Sequence, residues 1–202
     1  MAIKVANNQS LTAITALQAS ITGGAMTLLE TQTASSSSTI SFTSNIDSTY
    51  DEYVFKFYDI HPATDNKYLS FQVDTGTNTN YNQTITSTFF QARHDEADSD
   101  SDNFGYSGSS DQAQGTSFEK LSAEIGNDND QSLAGTLTIY DPSSSVFVKH
   151  FIATTNVIEG SNYTWQAFKA GYINTATAIT RVQFKMSSGN MDSGVIKLYG
   201  IK

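Results

Sequence analysis

From residue 40 onward, apolar and polar positions alternate with a period of two. Ile40 and Phe42 flank Ser41, and 53–60 (Tyr-Val-Phe-Lys-Phe-Tyr-Asp-Ile) is dense in aromatic and β-branched residues before His61-Pro62 closes it. Tyr68, Phe71 and Val73 mark a further segment that runs into a Gly/Asn/Thr turn at 74–80. The same pattern recurs over 83–92, 117–125, 133–140, 145–154, 163–172, 179–186 and 194–201. Period-two alternation over short runs, punctuated by turn residues, predicts half-buried β-strands. Asp141-Pro142-Ser143 marks a turn between two of them, and Ser188-Gly189-Asn190 through Ser193-Gly194 predicts a hairpin joining the last two. About ten strands result, with no helical period after residue 30. The expected class is all-β: an antiparallel β-sandwich or jelly roll over residues 30–202. The two prolines, Pro62 and Pro142, fall in turns and contradict no central strand.

Residues 1–29 read differently. Leu11, Ile14, Leu17 and Ile21 recur at spacings of three and four, Ser10 is placed to cap a helix and Gly23-Gly24 to end it. A helix of about three turns is marginal alone in water. The segment, helical or extended, is therefore expected to lie on a larger body, as an attachment or oligomerisation element with those four residues as its contact. Residues 33–39 read as a low-complexity Ser/Thr linker between this segment and the β domain.

Composition sharpens the picture. Ser and Thr supply 51 of 202 residues, charged residues are 15 %, and cysteine is absent. Disulfides and Cys-based zinc sites are excluded, and the chain suits assembly in a reducing cytoplasm. The formal charge of −9 is unevenly placed. The window 95–130 holds ten of the twenty acids and one of the eleven bases, so the remainder is neutral. No basic patch is available for phosphates, so nucleic acid is not an expected partner. No apolar stretch approaches the ~20 residues that span a bilayer, and no signal-peptide run opens the chain.

The three histidines (His61, His94, His150) lack metal-site spacing, no serine sits in a nucleophile elbow, and no glycine loop fits a phosphate. No catalytic residue and no cofactor are expected. Asp98-x-Asp100-x-Asp102 has alternating carboxylates that suit calcium, with Asp128 and Asp130 in a neighbouring loop. Asn103 and Ser109 break the EF-hand pattern, and the competing reading is a solvated acidic loop in the long polar stretch 95–116. Tyr163, Trp165, Phe168 and Tyr172 form a dense aromatic segment. Either these rings stack on a sugar or alternate members face the core. The same two readings apply to Tyr50, Tyr53, Phe55, Phe57 and Tyr58.

Three pieces carry a resemblance. Thr31-Gln32-Thr33-Ala34-Ser35 is followed by Ile40-Ser41-Phe42 and Ser48-Thr49-Tyr50-Asp51-Glu52-Tyr53-Val54-Phe55. The centre holds Leu137-Thr138-Ile139-Tyr140-Asp141-Pro142. The end holds Ile179-Thr180-Arg181-Val182-Gln183-Phe184, a Ser-Ser-Gly-Asn turn and Ile196-Lys197-Leu198-Tyr199-Gly200-Ile201. Together they resemble small virion proteins of tailed bacteriophages, common in marine and cyanobacterial phages. The resemblance covers roughly 28–202 and transfers no functional residue. It implies a non-enzymatic structural protein of the virion, assembled in the host cytoplasm. Its partners would be other virion proteins, capsid or tail, and it would be homo-oligomeric with a lean toward a trimer. Head decoration and fibre are both compatible. The alternative is a tail-fibre module that binds a host-surface glycan.

Overall fold

The computed structural model describes residues 25–99 and 103–202. The described residues are all-β, with twelve strands and no helix. The strands are β1 (Thr27–Ser37), β2 (Ile40–Phe42), β3 (Glu52–Pro62), β4 (Leu69–Thr75), β5 (Ile85–Asp95) and β6 (Asn103–Tyr106). They continue as β7 (Glu119–Lys120), β8 (Leu133–Tyr140), β9 (Lys149–Glu159), β10 (Tyr163–Ile173), β11 (Ile179–Met186) and β12 (Met191–Ile201). One sheet has the order β1-β12-β3-β8-β9-β10-β5-β6 and the other β2-β11-β4-β7. Every paired neighbour is antiparallel. The chain crosses repeatedly between sheets: β2, β4, β7 and β11 lie in the small sheet, and the strands between them in the large one.

Alternation places one face of each strand in the sandwich. A single inward row runs across six strands of the large sheet: Leu198, Phe55, Leu137, Ala153, Lys169 and Phe89. All six are buried, and five are apolar. Opposite them Phe42, Phe71 and Phe184 rise from the small sheet. Ring centroids lie 5.1 Å apart for Phe55–Phe184, 5.2 Å for Phe42–Phe55 and 5.1 Å for Phe71–Phe151, all edge-to-face. The segment 121–126 covers inner-face area beyond the small sheet. It buries Leu121, Ala123 and Ile125, and the Thr155 hydroxyl donates to the Leu121 carbonyl at 3.0 Å.

Several sequence expectations are corrected. Residues 33–37 are not a linker but the second half of β1, paired with β12 from Thr33↔Val195 to Ser37↔Met191. Only Ala34 of β1 is buried, so this marginal strand lacks the apolar alternation that would reveal it. The stretch 95–116 contains β6, and within 117–125 only Glu119–Lys120 is strand. The last two strands form no hairpin: β11 pairs with β2 and β4, whereas β12 lies between β1 and β3. Residues 187–190 cross between the sheets, tied by Ala63 N–H to the Asn190 carbonyl at 3.0 Å. Ser193 and Gly194 fall inside β12, at register shifts against β3.

Candidate functional site

The outer face of the large sheet at its β9-β10-β5-β6 end presents a grouping of rings and amides. The β9–β10 hairpin is closed by Gly160-Ser161-Asn162, with Asn162 at φ 62° and its N–H donating to the Glu159 carbonyl at 2.8 Å. This turn sets a register in which Thr154, Phe168, Phe90 and Tyr106 form one outward row. Asn156, Gln166, Ala92 and Phe104 form the next. Phe90 stacks on Phe168 at 4.9 Å and 12°, and Phe104 meets Phe90 edge-on at 5.7 Å. Phe104 and Tyr106 are 71 % and 63 % exposed. The Tyr106 hydroxyl donates to the Asp111 carboxylate, and that hydrogen bond raises the phenol above its ordinary value.

Beside the rings the face is polar and shallow. A depression of about 490 Å³ is lined by His94, Asp95, Glu96, Asn156, Ile158 and Thr164. Ala92 and Gln166 lie on its ring-proximal side, within a smaller hollow shared with His94, Asn156 and Thr164. Asn156 Nδ2 donates to Thr164 Oγ1 at 3.0 Å, which orients both side chains. His94 Nε2 lies 3.3 Å from Asp98 Oδ1. Amide, hydroxyl and imidazole groups next to a flat exposed ring supply what a sugar needs: paired donors and acceptors, and a surface for its C–H face.

The aromatic segment divides by parity. Tyr163 and Trp165 face inward, and the Arg93 guanidinium lies 5.2 Å and 5.1 Å from their ring centroids. Trp165 is partly buried against the core, so it is not a sugar platform. Phe168 and Tyr172 are the outward members; Gln114 Nε2 donates to the Tyr172 hydroxyl at 3.2 Å. Between residues 50 and 58, Tyr53, Phe55 and Phe57 are buried, whereas Tyr58 is exposed. Phe90, Phe104 and Tyr106 were missed as site residues. Their signal was present in the Phe89-Phe90 doublet, where one ring must face out, and in the two-residue spacing of Phe104 and Tyr106.

Of the calcium candidates, Asp98 is exposed at φ 53° beside His94, and Asp100 and Asp102 lie outside the described residues. Asp130 lines a different cleft, with Asp59, His61 and Asp192, which does not include Asp98. Among the described residues, no three His, Asp or Glu side chains converge as a metal site. Leu11, Ile14, Leu17 and Ile21 also lie outside the described residues. Among the described residues no helix is long and apolar enough to cross a membrane. Comparison of the chain with protein-family models, curated proteins and solved structures finds no match.

Proposed function

We propose that this chain is a non-enzymatic structural protein of a tailed-bacteriophage virion, exposed on the particle as a head decoration or fibre and held by residues 1–29. The observation that carries the reading is the strand order. The sequence β2-β11-β4-β7 opposite β3-β8-β5-β6 follows the order of a jelly roll, with the β9–β10 hairpin inserted between β8 and β5 and the β1/β12 pair added beside β3. Jelly rolls recur in viral capsid and lectin domains. Fold alone does not assign function; the sequence resemblance supplies the choice of virion. The test is quantitative mass spectrometry of purified particles, with and without deletion of residues 2–27. The full chain is expected at a fixed copy number, and the deletion is expected to lose it from particles. Absence of the full chain from particles overturns the reading, and full incorporation of the deletion overturns the anchor.

A second reading, that the module binds a host-surface glycan, is favoured by the exposed Phe104 beside the Asn156/Gln166 row. Phe104→Ala is expected to weaken binding to purified host polysaccharide at least tenfold, read by calorimetry, with the melting temperature unchanged. Equal binding by the variant removes this face as the site.

A further inference from the structure

Lys169 is the anomaly in the inward row of the large sheet. Its side chain and that of Glu119 are both 0 % exposed and form an ion pair. Phe89 lies under the ammonium, 4.9 Å from Nζ to the ring centroid. Burial pushes the Lys169 amine below its ordinary value, against the opposing pull of Glu119. A buried ion pair is a poor source of stability, because desolvation consumes most of the attraction. Its partners point to chemistry instead.

Glu119 bridges two groups. One carboxylate oxygen accepts from Lys169 Nζ and, at 3.0 Å, from Ser87 Oγ. The other accepts from Gln112 Nε2 at 2.9 Å. One carboxylate thus touches both an amine and a carboxamide. Lys169 Nζ also donates to the Ser110 carbonyl at 2.6 Å, two residues before Gln112. The Gln112 backbone is held in place: Ser87 N–H donates to the Gln112 main-chain carbonyl at 2.9 Å, and the Gln112 main-chain N–H donates to Ser87 Oγ at 3.0 Å. Gln112 Nε2 has a second acceptor in the Ser117 carbonyl at 3.1 Å. Gly115 leaves room for the group, since a Cβ there would stand 2.1 Å from Gln112 Oε1 and 2.9 Å from its Cδ.

We propose that Lys169 and Gln112 join in a self-catalysed isopeptide cross-link, with Glu119 as the proton carrier. Lys169 passes one ammonium proton to Glu119 and becomes an amine. Nζ adds to Cδ of Gln112, forming the new C–N bond. Glu119 delivers its proton to Nε2 and takes the second proton from Nζ, and the Cδ–Nε2 bond breaks to release ammonia. The products are a secondary amide, ammonia and a neutral Glu119 carboxyl; no oxidant or reductant is needed. A desolvated lysine is an activated nucleophile, and binding amine and amide to the two oxygens of one carboxylate replaces a bimolecular encounter. A carboxylate touching both nitrogens serves as base and then as acid. The bond would fasten β10 of the large sheet to the strap that leads into β7 of the small one, in a chain that has no cysteine.

The test is the intact mass of the denatured full-length protein. A deficit of about 17 Da against the sequence mass is expected, the mass of one ammonia. Tryptic mapping is expected to recover the Lys169 peptide joined to the Gln112 peptide, with no cleavage after Lys169. Glu119→Ala, checked for its β-sheet circular dichroism, is expected to restore the full mass although both reacting residues remain. A wild-type protein at its full sequence mass overturns the proposal. So does a cross-link mapped from Lys169 to Glu119 with loss of water. Cross-linking undiminished in Glu119→Ala overturns the role given to that carboxylate.

Discussion

Tyr53 and Asp47 illustrate how one side chain ties a loop to the core. The Tyr53 ring is fully buried, yet its hydroxyl accepts from Asp47 N–H and donates back to the same residue, each at 3.0 Å. The Asp47 carboxylate accepts from Thr49 N–H at 2.8 Å, and the hydrogen bonds from Thr49, with a further one from Tyr53, hold it below the ordinary 3.8. A carboxylate with a depressed folded value stabilises the fold fully above its ordinary value and loses that contribution as pH falls through the folded one. Asp47→Asn is therefore expected to be less stable than wild type at pH 7. The gap in urea midpoint should begin to narrow as pH falls through about 3.8 and close only below the depressed folded value, where the wild-type carboxylate is itself protonated. A gap that stays constant down to pH 2 would remove the carboxylate as its source. At this scale the sequence was a good guide to apolar residues: the runs around Tyr53 and Phe184 read as core because their alternation is driven by burial. It was a poor guide to Lys169 and Glu119, because charged residues in a strand pattern look like solvent-facing positions until the register is known.

Strands show the same division. The strongly alternating ones, β3, β8, β10 and β11, were visible because each has one dry face. β1 and β6 lie at the margins of the large sheet, bury little and were hidden by polar composition. The candidate site suffered for this reason: Phe104 and Tyr106 lie on β6, within a stretch that reads as loop. Pairing also imposes demands that propensity does not reveal. Gly135 of β8 approaches β9 so closely that a Cβ would lie 2.5 Å from the Thr154 carbonyl oxygen and 2.8 Å from Thr155 Cα. These are backbone atoms and cannot swing away. Gly135→Ala is expected to cost about 1–3 kcal/mol in urea unfolding, the range for forced overpacking. An unchanged midpoint would mean that β8 and β9 can separate without penalty.

Over the whole molecule, the two-sheet sandwich was legible from the number and spacing of short alternating runs. The crossing between β11 and β12 was not, because a turn signal reports that the chain reverses and not which sheet receives it. That crossing places β12 between β1 and β3, hydrogen-bonded to both along most of its length. Sequence neighbours such as β8 and β9 can meet as soon as both exist, but β1 and β3 are joined only through a strand made more than a hundred residues later. A nascent chain therefore holds two strands with a gap between them until translation reaches residue 201. A stop placed after Asn190 is expected to yield insoluble or protease-sensitive product, assayed by limited trypsinolysis, and adding a peptide of residues 191–202 should restore resistance. A soluble, resistant fragment without that peptide would contradict this order. The consequence is a quality check: only chains translated through β12 close the large sheet, and truncated products remain open to proteolysis.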